Sequence, residues 1–101
     1  MPGINGRFDG KRVLADLNAL RAIGAYKTGV HKPTFSEPHL RSLGWLASRL
    51  PDADLVATID GIGNVLGSSA KAGPKLLAGS HLESQNHAGW LDGPLGVVYA
   101  L

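Results

Sequence analysis

Late in the 101-residue chain three residues combine types and spacing that suit metal chemistry: His81, Glu83 and Asp92. Neutral imidazole and carboxylate are ligands for Zn²⁺, Mn²⁺, Co²⁺ or Ni²⁺, and a metal-bound His commonly has its other ring nitrogen held by a carboxylate. On an extended segment His81 and Glu83 point to the same side, so Glu83 either supports the His or shares the metal environment. Asp92, with two carboxylate oxygens, could bridge two ions about 3.5 to 4 Å apart, the spacing at which paired metals clamp an attacking water and a scissile group. On residue types alone this is a weak signal, and a solvated polar loop accounts for the same residues more simply. His87 either lines the mouth of such a site or stands in solvent, and Trp90 either packs or shapes a pocket. His31 and His39 have no partner at ligand spacing and are expected outside the site.

The elements that must position these residues follow from periodicity. Residues 11 to 23 place Val13, Leu14, Leu17, Leu20 and Ile23 three and four apart, which predicts an amphipathic helix stopped by Gly24. Residues 25 to 35 have no sustained period and are predicted to form a long loop. Ser36 can cap a second helix, with Glu37 and Pro38 in its first turn and Leu40, Leu43, Leu46, Ala47 and Leu50 on one face until Pro51. The β-branched stretch 54 to 60, the break at residues 61 to 63 and the extended pattern from Asn64 predict a β-hairpin. After a turn-rich connector, Leu76 to Ala78 reads as a short buried strand that delivers His81, and Pro94 to Leu101 reads as the start of a third helix. That last pattern breaks off without a cap, so a truncated chain or fragment is expected, forming one domain over residues 1–101.

Composition narrows the class. With 44% hydrophobic and 18% charged residues the chain is expected to fold and pack. Its ten Lys and Arg against eight Asp and Glu are scattered rather than clustered, which gives no support to a nucleic-acid partner. The absence of Cys rules out a disulfide framework and a thiolate metal site. No run is apolar enough for a signal peptide or a membrane span, so no membrane partner and a cytoplasmic location are expected. Residues 61 to 63 lack the third glycine and following helix of a dinucleotide fingerprint.

The stretch Gly79-Ser-His81-Leu-Glu83-Ser-Gln-Asn-His-Ala-Gly89-Trp-Leu-Asp92-Gly93-Pro-Leu-Gly96 resembles the first metal-binding block of the two-metal aminoacylase and carboxypeptidase clan. More narrowly it resembles the hydantoinase/carbamoylase branch, which holds N-carbamoyl-L-amino-acid hydrolases, allantoate amidohydrolases and β-ureidopropionases. Ile4 to Phe8, Leu14 to Leu20, Gly29 to Ser36 and Asp60 to Gly67 resemble that branch's N-terminal region in the same order. The resemblance covers nearly the whole chain and only about the first quarter of a typical family member.

The resemblance implies the N-terminal portion of an α/β di-metal hydrolase domain: two helices, a β-hairpin, a third strand ending at the metal loop and the start of a third helix. It implies two divalent ions (Zn, Mn, Co or Ni), His81 as a metal ligand, Asp92 as the bridging carboxylate and Glu83 in place of the family's Asp that orients the His. It also implies strain at the peptide after Asp92, often cis in the family, which Gly93 would ease. The implied activity is hydrolysis of linear C-N bonds in N-carbamoyl amino acids or ureido compounds, with a small-molecule substrate and a homodimeric full-length protein. The family's general-base Glu and its remaining ligands come later than Leu101, so the 101 residues are expected to be inactive alone. Two alternatives stand beside this: a peptidase or N-acyl-amino-acid hydrolase of the same clan, and a non-catalytic remnant.

Overall fold

The computed structural model describes residues 9–101, so the resemblance at Ile4 to Phe8 lies outside the described residues. Helix α1, Gly10–Ala22, begins where the Asp9 carboxylate accepts the Arg12 N–H at 3.0 Å, satisfying one of the free donors of the first turn. It buries Val13, Leu17 and Leu20 as the periodicity predicts, but Leu14 is exposed and Asp16 takes a buried place instead.

The segment predicted as a loop after α1 contains a small antiparallel hairpin, β1 Ala25–Tyr26 and β2 Gly29–Val30, which corrects that reading. Its turn uses Lys27 at φ 51°, without the Asn or Gly that advertises such a turn. Helix α2, Glu37–Arg49, is capped by Ser36, whose Oγ accepts the His39 N–H, and gives way at Leu50–Ala53 to one 3₁₀ turn containing Pro51. A second hairpin, β3 Val56–Ile59 and β4 Val65–Ser68, pairs Ile59 with Val65 across its turn. Asp60 closes that turn by accepting the Ile62 and Asn64 N–H groups and the Asn64 side-chain amide. The Asn64 amide above all, then the backbone N–H groups, holds the Asp60 carboxyl below the ordinary carboxylate range.

The predicted strand at residues 76 to 78 is not formed. Among the described residues the four strands make two separate two-stranded sheets, and this segment pairs with neither. A strand is stable only when a neighbour pairs its backbone and a surface covers its side chains. Leu76 and Leu77 have neither and stand 97% and 82% exposed. The mixed α/β class, its helices and the 56–68 hairpin are as predicted.

Helix α3, Pro94–Ala100, packs on α1, while α2 packs on the β3–β4 hairpin. The core joins Val13, Leu17 and Leu20 of α1, Leu46 and Leu50 at the end of α2, Leu82, and Val97 and Val98 of α3. Buried Asp16 ties the halves together by accepting from Arg12 Nη1 at 2.8 Å and Arg49 Nη2 at 3.2 Å. Hydrogen bonding to Asp16 is the first cause that raises the Arg49 pKa. The described residues form a slab of 42 × 33 × 18 Å, two layers of secondary structure at most in its thin direction. No helix among the described residues is long and apolar enough to cross a membrane.

Candidate metal centre

Leu82 anchors the site. It is buried at 3% exposure in the core, and because neighbours in an extended run alternate sides, His81 and Glu83 flank it on the outer face. His81 Nδ1 lies 3.0 Å from Glu83 Oε1 and 3.1 Å from the Glu83 carbonyl oxygen. A carboxylate and a carbonyl can only accept, so the hydrogen sits on Nδ1 and donates to Glu83. In the neutral ring the lone pair is then left on Nε2, the form in which an imidazole can bind a cation. The extra methylene of Glu83 relative to Asp does not prevent the contact.

Gly93 closes the loop onto the ring. Its φ of 96° lies in the left-handed region, and a Cβ there would fall 2.4 Å from the His81 carbonyl oxygen and 2.6 Å from His81 Cε1 and Nδ1. Only a residue without a side chain fits at this close approach to His81. Asp92 is exposed. No cis peptide occurs among the described residues, so the expected cis bond after Asp92 is replaced by a glycine turn. One turn into α3, a Cβ on Gly96 would meet Ser80 Cβ at 2.8 Å, so the start of that helix rests directly on the segment leading into His81. Among the described residues no three His, Cys, Asp or Glu side chains gather as a metal-holding group.

The loop between His81 and Asp92 is held from the N-terminal half. Ser84 exchanges two hydrogen bonds with Lys32: the Lys32 N–H donates to Ser84 Oγ at 2.8 Å and the Ser84 N–H to the Lys32 carbonyl at 2.9 Å. The His87 ring stacks on Tyr26, centroids 3.9 Å apart and 17° between planes, and lies 4.6 Å from the His31 ring. Trp90 packs half-buried against the core with the Arg21 guanidinium 4.9 Å from its ring centroid. His87 is thus packed on hairpin β1–β2, while Trp90 forms part of the wall between loop and core.

Two further polar residues are structural. Lys32 is buried, donates from Nζ to the Leu20 carbonyl at 2.6 Å, and has its pKa lowered to about 8 by burial and then by Arg41. His39 is buried and accepts the Phe35 N–H on Nδ1 at 2.9 Å, with its pKa lowered first by burial. His31 does have a partner, His87, and sequence reasoning missed it because the two are 56 positions apart with no local pattern to join them.

No family model matches the chain. It is 33% identical over 95 residues to an N-carbamoyl-L-amino acid amidohydrolase of Geobacillus stearothermophilus, a match covering 90% of this chain and 23% of that protein. It is 31% identical over 94 residues to an N-carbamoyl-L-amino-acid amidohydrolase of Paenarthrobacter aurescens, with the same coverage of each. A crystal structure of an amidase of the hydantoinase/carbamoylase family from Burkholderia phymatum superposes with a TM-score of 0.88 at 48% identity, over 92% of this chain and 23% of that one. The chain is thus similar to these amidases and spans about a quarter of their length. The carbamoylase match extends through hairpins, helices and loop alike, so the α/β arrangement around His81 is that of a segment of the carbamoylase amidase fold.

Proposed function

We propose that this carbamoylase segment supplies part of a divalent-metal site, His81 and Asp92 as ligands and Glu83 as the acceptor that orients His81, for hydrolysis of the linear C-N bond of N-carbamoyl amino acids. The observation that carries the reading is the His81 Nδ1 contact with Glu83, which leaves the lone pair on Nε2 for a cation. The names of the two curated relatives and of the solved amidase support the substrate class.

His81 would hold a metal through Nε2 and Asp92 through its carboxylate, with Gly93, next to Asp92 in the chain, packed against the His81 ring. When bound, divalent ions polarise a carbonyl and acidify a bound water. Glu83 keeps the proton on Nδ1 and off the coordinating nitrogen. No residue among those described is assigned as the base that takes the proton from water, so the 101-residue chain alone is expected not to turn over N-carbamoyl amino acids.

The test is Glu83→Gln in the full 101-residue chain, followed by long-range ¹H–¹⁵N spectra of the His81 ring and by calorimetric Zn²⁺ titration. The account expects the Nδ1–H form in the unsubstituted chain and Zn²⁺ affinity reduced about tenfold or more by the substitution, the usual cost of losing such a partner. A proton on Nε2, together with unchanged affinity, would overturn it.

A further inference from the structure

Several contacts to the loop between His81 and Asp92 come from one short segment, residues 29–32. The Gly29 backbone lies under the loop, where a Cβ would meet the His87 carbonyl oxygen at 3.0 Å and the Ala88 Cα at 3.1 Å. The backbone of Lys32 clamps Ser84. Between them His31 receives the His87 N–H on Nδ1 at 3.3 Å and sets its ring beside that of His87, while its own N–H is bound to the Gly24 carbonyl at 2.8 Å. His87 needs holding, because its φ of 58° lies in the left-handed region that side chains disfavour. That strain has to be offset by contacts of the residue.

We infer that His31 is a positioning residue of the candidate metal centre: by accepting the His87 N–H and bearing the His87 ring, it holds the loop in the conformation that brings Gly93 onto His81. This rests on the reading of His81 and Asp92 as ligands. The chemistry is specific to an acceptor at the Nδ1 position. Asn can place an oxygen there, whereas Ala cannot. Tyr26, stacked on the His87 ring, contributes apolar contact but no hydrogen bond to the backbone.

The test compares the full 101-residue chain with His31→Ala, His31→Asn and Tyr26→Ala. In the unsubstituted chain the His31 ring should carry no proton on Nδ1. His31→Ala should speed exchange of the His87 amide about tenfold and move the His81 ring and Gly93 amide signals, leaving those of the β3–β4 hairpin in place. His31→Asn should restore them, and Tyr26→Ala should give a smaller change. Zn²⁺ affinity should fall about tenfold in His31→Ala and recover in His31→Asn. A proton on His31 Nδ1, His87 exchange unchanged by His31→Ala, or an Asn variant no better than Ala overturns the inference. If His31→Ala does not fold, the ring proton and the Asn variant decide. If the unsubstituted chain takes up no Zn²⁺ at His81, the metal reading fails, while the exchange and ring measurements still judge the role of His31.

Discussion

The β3–β4 hairpin and the segment 75–93 are built on opposite terms. The hairpin closes on itself: four residues of each strand pair in register, and the Asp60 carboxylate accepts from Ile62 and Asn64 across the turn. The segment 75–93 has almost no internal structure. It is fixed by Leu82 in the core, by Ser84 on Lys32, by His87 on Tyr26 and His31, and by Gly93 against His81. One region is held mainly by its own residues, the other largely by residues dozens of positions away. Such placement leaves polar side chains outward, where chemistry can use them.

The comparison can be broken most severely at Leu82. Leu82→Ala should cost about 3 kcal/mol of unfolding free energy in urea titration and loosen His81 and Glu83, because the leucine fills the core. The same substitution at Leu76, a few positions earlier in the same segment, should cost less than about 0.5 kcal/mol, since its side chain is already in water. Equal effects at the two positions would contradict the anchoring role of Leu82.

Lys32 offers a pH test. Its folded pKa of about 8 lies below the ordinary value of 10.5, so the folded state releases the proton first. Below about pH 8 the chain bears the full cost of burying the charge. Stability from this group therefore rises as pH goes from about 8 to about 10.5, by up to about 3 kcal/mol. Lys32→Met should remove that rise, measured as the difference between the two pH profiles. A Met variant with the same slope would show that Lys32 is not buried as described.

Asp16→Ala should cost about 2 kcal/mol by leaving Arg12 and Arg49, both partly exposed, without their shared acceptor. The smallest expected effect is that of Leu76→Ser with Leu77→Ser. Stability should hardly change, but any self-association seen by sedimentation at high concentration should weaken, because two bare leucines are removed from the surface.

What was legible in the sequence follows the same division. Helices α1 and α2 are legible because their apolar residues recur three and four apart and Gly24, Ser36 and Pro51 mark ends, although the Asp9 cap is not announced, and the second hairpin because Asp60 and Asn64 make its turn locally. Hairpin β1–β2 was missed because its turn rests on Lys27 in the left-handed region, which no residue preference announces. The strand at residues 76 to 78 was misread because apolar composition describes what a segment could bury, not whether a partner edge is present. At the site, the alternation that puts His81 and Glu83 on one side was readable from their spacing. The His31–His87 contact and the burial of Lys32 depend on long-range packing and were not.

The most direct test of the central claim is paramagnetic broadening by Mn²⁺ in the ¹⁵N-labelled 101-residue chain. At substoichiometric metal the account predicts selective loss of signals from His81, Asp92 and Gly93, abolished by His81→Ala with the β3–β4 hairpin unaffected. Broadening centred elsewhere, or unchanged by His81→Ala, would contradict it.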